Sequence, residues 1–341
     1  VFWIEQWIKT LFDDDVLEVA GACFGVEKKD ISFVGGFENF IYGFKKDNQS
    51  YILRISHTSH RTIHDTMAEL DFVRHLADHG APVSKPVLSI NKQWVEPILA
   101  KDGSVFTVSC YHHAKGERPT RAHVTPEFLF NYGKTIGQFH LLTTQYQPED
   151  HLQKRFIWDQ DPLLVHAKSY LPAHDTIIFE RFREIVEAIN RLPKNYLNYG
   201  LIHTDIHMGN FFVSNHELTV FDFDDSAYMH FISDVAIALF YFIVFMKADE
   251  AEKLIKADFF MTHFMKGYLS VYRLPKQDYL EIPKFLKLRE MVLYIVFYRS
   301  TDIKHDEFAR RYVETHRESI INHTPVIDLN FEKYYTWSYK D

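Results

Sequence analysis

The chain has 341 residues, long enough for two domains or one two-lobed unit with a substantial core. Hydrophobic residues make up 46% and aromatic residues 16%, which excludes an intrinsically disordered chain. A formal charge of −8 argues against a binder of nucleic-acid backbones, and the two cysteines, Cys23 and Cys110, make no disulfide framework, which fits a reducing cytoplasm. The opening VFWIEQWIKTLFDDD lacks the basic flank and small-residue cleavage site of a signal peptide. The longest apolar run, VAIALFYFIVFM at 235–246, is too short to span a bilayer and reads as a buried helix, so no membrane association is expected.

Residues 31 to about 110 carry strand signals: ISFV, then Gly35-Gly36, then NFIYGFKK, the turn DNQ and YILRIS. A helix follows in DTMAELDFVRHLADHG, with Gly80 as its stop and Pro82 beyond. Strands are expected at roughly 85–90 and 95–109, turning at Asp102-Gly103. After Tyr111 the texture becomes helical. Thr125 is a candidate N-cap with Pro126 at the first helical position, and long helical patterns continue at about 174–191, 233–247, 249–271, 278–299 and 306–321. This predicts an α+β protein: a small antiparallel β-rich lobe with one main helix over residues 1–109, and a larger, mostly helical lobe over 110–341.

The most informative stretch is LIHTDIHMGNFFVSNHELTVFDFDDSAY at 201–228. FFVS (211–214) and LTVFDF (218–223) flank the short turn 215–217. With that turn centred on His216, Asn210 lies opposite Asp222, their Cβ atoms about 5 Å apart. An amide oxygen and a carboxylate held on strands suit a hard divalent ion. Asp205, in the loop before Asn210, is placed to accept a proton from an attacking hydroxyl. The spacing H-x-D-x-x-x-x-N followed by D-F-D is the layout of a kinase catalytic loop and metal-binding segment. Competing readings take His203 and His207 as a zinc pair, for which both need to lie on one helix, and Asp224 and Asp225 as plain turn residues.

HTDIHMGN…VFDFDD…SDVA resembles the aminoglycoside phosphotransferase/choline kinase family, near its homoserine-kinase-like and stress-response-kinase-like branches. The resemblance implies a protein-kinase-like fold and an ATP- and Mg²⁺-dependent transfer of the γ-phosphate to a small-molecule alcohol such as an amino alcohol or aminoglycoside. It implies Asp205 as base, Asn210 and Asp222 as metal ligands, His203 as a brace of the loop, and Asp234 as its tie to the following helix. Alternatives within this resemblance are a kinase of protein Ser/Thr hydroxyls and an inactive nucleotide-binding scaffold.

In the first lobe, Gly35 and Gly36 let backbone N–H groups approach a phosphate closely. Arg54 takes the place of the lysine of protein kinases, a departure in side-chain geometry. Glu69 stands beside an apolar helical stripe formed with Phe72, Val73 and Leu76, where an ion pair with Arg54 offsets the cost of burial. The resemblance implies that the backbone of Ser109, Cys110 and Tyr111 meets the adenine edge. Trp158, Asp159, Asp161 and Arg289 are candidates to line the acceptor site. The motifs fix neither the acceptor's identity nor the oligomeric state.

Overall fold

In a computed structural model, which describes residues 4–336, the chain divides into two compact units. The first holds the residues up to Lys115 together with Tyr146–Arg155 and Thr219–Asp224; the second holds Gly116–Gln145, Phe156–Leu218 and the residues from Asp225 onward.

The first unit opens with two helices that the sequence did not announce, α1 (Gln6–Leu11) and α2 (Asp14–Cys23). Asp13 caps α2 by accepting the Asp15 and Val16 N–H groups. A sheet follows, built from β1 (Ser32–Gly35), β2 (Phe40–Lys46) and β3 (Gln49–His57). The helix α3 (Ile63–Asp78) precedes β4 (Pro86–Val87), β5 (Glu96–Leu99) and β6 (Val105–His112). The order is β1-β2-β3-β6-β4 with β5 also on β6, every pair antiparallel. Asp47 and Asn48 both take positive φ, 51° and 60°, the twist-matched conformation of a two-residue hairpin turn between β2 and β3. The alternation of β3 sends Leu53 and Ile55 into a core with Phe44, Phe106, Val108 and Cys110, which α1 and α2 close with Ile8, Val16 and Leu17. Alternate residues of β3, Arg54 among them, are thereby sent to the opposite face. A capping box between Thr62 and Asp65 starts α3.

The second unit contains α4 (Pro126–Thr143), two single-turn helices α5 (Pro162–Val165) and α6 (Ala167–Tyr170), and α7 (Thr176–Asn190). Four short strands come next in the chain: β7 (Tyr199–Ile202), β8 (Phe211–Ser214), β9 (Glu217–Val220), whose last two residues belong to the first unit, and β10 (Ala227–His230). The last helices are α8 (Ile232–Ile243), α9 (Glu250–Leu269), α10 (Lys276–Ser300) and α11 (Glu307–Ile321). Thr125 caps α4 through its Oγ1, 3.2 Å from the Phe128 N–H, with Pro126 at the first turn as anticipated. α4 and α9 meet backbone to backbone. A Cβ on Gly133 would stand 1.8 Å from the Phe264 carbonyl, and one on Gly267 1.8 Å from that of Phe130, so only glycine permits this approach. No helix among the described residues is long and apolar enough to cross a membrane.

The antiparallel sheet and the helical second unit are the α+β, two-lobed kinase-like fold expected from the sequence. Besides α1 and α2, two further features differ from expectation. β7 and β10 form a separate two-stranded ladder, Ala227 facing Ile202 and His230 facing Tyr199, that had no strong β signal. The β8–β9 hairpin turns on two residues rather than three, because Asn215 and His216 both adopt positive φ, 51° and 65°.

Candidate active site

The HTDIHMGN loop runs from the end of β7 to the start of β8, and the second unit clamps it from several sides. Asp234, in the first turn of α8 and fully buried, accepts the Thr204 N–H at 2.9 Å and the His203 N–H at 3.3 Å. His140 of α4 lies 3.3 Å from the same carboxylate and bonds the Tyr268 hydroxyl through its other nitrogen at 2.7 Å. The Tyr132 hydroxyl donates to the Ile206 carbonyl at 2.7 Å, and the Thr204 hydroxyl to the Asp225 carbonyl at 2.6 Å. Buried polar groups satisfied on this scale cost energy to rearrange, so the loop is rigid. Asp234 is thus the tie between loop and following helix that the sequence suggested.

Asp205 stands at the centre. His203 Nδ1 accepts the Asp205 N–H at 3.3 Å. Asn210 donates its Nδ2 to the Asp205 carbonyl at 3.0 Å and to Oδ2 at 3.1 Å. His207 Nε2 lies 3.4 Å from Oδ2. Arg289 of α10 donates Nη2 to Oδ1 and also to the Tyr241 hydroxyl at 2.5 Å. Burial alone would raise the Asp205 carboxyl, but Arg289 and His207 outweigh it and hold the group well below the ordinary carboxylate range. Burial pushes the Tyr241 hydroxyl up to about 12, so it stays protonated. The zinc reading fails on geometry: the loop is not helical, and His203 and His207 both spend Nδ1 on a backbone N–H, of Asp205 and Gly209. Among the described residues neither joins a group of three close metal-ligating side chains.

The first unit has its own polar centre. Arg54 and Glu69 form a bidentate pair at 2.8 and 2.6 Å, both buried. Burial would lower the Arg54 guanidinium, yet Glu69, Tyr111 and Asp224 keep it charged. Its Cζ lies 5.4 Å from the centre of the Tyr111 ring, and Ser109 donates to the Tyr111 hydroxyl at 3.3 Å. Asp224 is no plain turn residue. It is buried, bonded to His60 at 2.6 Å, with Arg61 at 3.8 Å and Arg54 at 3.9 Å from Oδ1. Its carbonyl takes a bond from Arg155 at 2.5 Å. Glu38 approaches His60 at 3.4 Å. Burial would raise the Asp224 carboxyl, but His60, Arg61 and Arg54 hold it well below its ordinary value.

Other expected residues fall as follows. Gly36 sits in the β1–β2 turn with φ 139°, where a Cβ would stand 1.8 Å from the Asn39 carbonyl, so the turn cannot carry a side chain there; Gly35 ends β1 beside it. Ser109, Cys110 and Tyr111 lie inside β6 and face Arg54, Leu53 and Ile52 of β3, with β4 on the far side at Cys110 and Tyr111. Their backbone groups take part in the ladder. Asp222 is not on a strand: β9 ends at Val220, and Asp222 takes φ 66°. Asn210 likewise precedes β8. The two-residue turn shifts the register by one, so the facing of Asn210 and Asp222 predicted from a turn centred on His216 does not follow. Of the four acceptor candidates, Trp158 is buried, Asp159 accepts from Asn190 at 2.7 Å and Asp161 caps α5, whereas Arg289 alone reaches Asp205. Sequence reasoning missed Tyr241, His140, His60, Arg61 and Arg155. All contact the loops across long separations, and no local pattern marks them.

The family model of the phosphotransferase enzyme family matches residues 30–268. The amicoumacin kinase of Bacillus subtilis (strain 168) is 33% identical over 330 residues, covering 96% of this chain and 98% of that protein. A solved amicoumacin kinase, hAmiN in complex with AMP-PNP, Ca²⁺ and Ami, superposes with a TM-score of 0.90 at 31% identity, over 97% of this chain and 99% of that one. A microcompartment-associated aminopropanol kinase shares the fold, with a TM-score of 0.72 at 19% identity over 90% and 95% of the two chains. The chain belongs to the phosphotransferase enzyme family. Within it, the chain is an ATP-dependent kinase that phosphorylates a small-molecule hydroxyl.

Proposed function

We propose that the acceptor is amicoumacin or a close analogue, that Asp205 is the base, and that residues 1–109 bind the nucleotide while 110–341 carry catalysis and the acceptor. The observation that carries the reading is the Asp205–Asn210 pair, held on a loop that Asp234 and Tyr132 immobilise. Near-complete coverage by the amicoumacin kinases supports the acceptor class. Neither a protein acceptor nor an inactive scaffold is favoured. We place the reaction in the cytoplasm, where ATP is available and where Cys23 and Cys110 stay unbridged.

The acceptor oxygen forms a bond to the γ-phosphorus, the bond to the bridging oxygen breaks, and ADP leaves. The acceptor's proton passes to Asp205. A carboxylate held so far below the usual range is a weak base. That suffices for a loose transition state, in which proton transfer is late and positioning does most of the work. Asn210 spends its Nδ2 on Asp205, which leaves its amide oxygen as a ligand atom for a hard cation; Asp222 supplies a carboxylate. Magnesium held there would offset phosphate charge. The Arg54–Glu69 pair keeps a guanidinium fixed for phosphate, and Gly35 and Gly36 let the turn's backbone approach it.

The test combines ATP, Mg²⁺ and amicoumacin and follows ADP release, with mass spectrometry of the product. Acceptor-dependent ADP release with a phosphorylated product supports the reading. Nucleotide binding without such turnover, while 1-aminopropan-2-ol is phosphorylated, moves the acceptor to simple amino alcohols.

A further inference from the structure

Arg289 is the permanent cation that touches the carboxylate of Asp205, and the fold invests in holding it there. The turn of α10 that carries it is bolted to the following segment by its neighbours. Lys287 bonds the Thr324 carbonyl at 2.6 Å and the Ser319 hydroxyl at 3.2 Å as well as Glu290. Glu290, itself buried, takes His316 at 2.6 Å, and the Tyr312 hydroxyl donates to the Glu290 carbonyl at 2.9 Å. From this anchored turn Arg289 reaches Asp205 Oδ1 and the Tyr241 hydroxyl, its guanidinium 4.9 Å from the centre of the Tyr241 ring. Tyr241 in turn packs on His207, ring centres 4.4 Å apart. Asp205 is therefore gripped at both oxygens, Oδ1 by Arg289 and Oδ2 by Asn210 with His207 alongside. Among the described residues, Arg289 Nε is buried with no hydrogen-bond partner.

We propose that Arg289 is a positioning residue of the transfer: it fixes the plane of the Asp205 carboxylate so that one lone-pair direction is presented to the acceptor hydroxyl. Tyr241 sets the guanidinium's own angle. This rests on Asp205 being the base. A misplaced base lowers the rate without touching nucleotide binding, because no atom of the phosphate-binding segments is involved.

The test compares Arg289→Ala, Arg289→Lys, Tyr241→Phe and Asp205→Asn in kcat, in KM for ATP and in Mg-ATP stabilisation. Arg289→Ala should lower kcat on the order of 100-fold with KM for ATP unchanged. Arg289→Lys should recover part of the loss and Tyr241→Phe should lose several-fold. Guanidinium added at non-denaturing concentration should restore kcat to Arg289→Ala, which a structural role would not allow. Full activity of Arg289→Ala beside an inactive Asp205→Asn overturns this inference and leaves the base in place. Activity of Asp205→Asn overturns the base itself. Loss in Arg289→Ala that neither lysine nor guanidinium repairs makes the residue structural. Where Arg289→Ala does not fold, Arg289→Lys carries the test: unchanged kcat overturns the proposal.

Discussion

Asp224 and Asp205 are both carboxylates taken out of water and matched with cations, yet the two surroundings differ in the number of fixed charges, which fits a holding role for the first and the proposed role of base for the second. Asp224 is 8% exposed and has His60, Arg61 and Arg54 on its side chain and Arg155 on its carbonyl. Asp205 is 18% exposed and meets one permanent cation, Arg289, the rest of its grip coming from an amide and an imidazole. A carboxylate ringed by cations is a clamp, here fixing the segment two residues after Asp222 to Arg54 and the start of α3. A carboxylate with one guanidinium and some solvent access can still take a proton. Burial supplies both with strength; the number of fixed charges decides the use.

The comparison can be broken most sharply at Asp205. Asp205→Asn keeps shape and hydrogen bonding but cannot take the proton, and kcat should fall by about 10²–10⁴ with Mg-ATP stabilisation intact. Asp224→Ala should do the converse. It removes the carboxylate that His60, Arg61 and Arg54 share, and urea unfolding should show a loss of roughly 3–5 kcal/mol. An Asp224→Ala protein as stable as wild type but inactive would put Asp224 with the reacting group instead. Asp222→Asn, which keeps a side chain tolerant of its positive φ, should abolish the Mg-ATP thermal shift, about 2.7 kcal/mol for wild type at a hundredfold excess of ligand over Kd. The smallest effect belongs to a carboxylate that is only partly compensated. Burial raises Asp278 to about 6, while Asn198 lowers it only in part, and among the described residues its Oδ2 has no hydrogen-bond partner. The fold prefers its protonated form, so this contribution to stability is present below the unfolded value and lost as pH rises through about 6. Asp278→Asn should therefore stabilise the protein by ~1–2 kcal/mol at pH 8 and give no gain near pH 4, as read by denaturation at both.

Local spacing made the candidate catalytic loop legible. H-x-D-x-x-x-x-N places Asp205 and Asn210 within one loop, where the hydrogen bond between them forms almost wherever the loop closes. The Arg54–Glu69 pair was readable for a related reason: a carboxylate beside an apolar helical stripe needs a cation, and the alternation of β3 offers one. Hairpin register was harder to read, since two positive-φ residues make a shorter turn than the three letters suggest, and a slip of one residue reverses the facing.

By itself, then, the sequence determined what depends on nearest neighbours: the helical periods from 174 onward, the strand-rich stretch from 31 to about 110, the cap at Thr125, and the order Asp205, Asn210, Asp222, Asp234. The tertiary structure alone decided which distant cations stand on which carboxylates. Arg289 lies 84 residues from Asp205, and His60 lies 164 from Asp224. Such pairings are chosen when whole helices and strands dock, because the cost of burying each charge is met only by a partner that packing delivers.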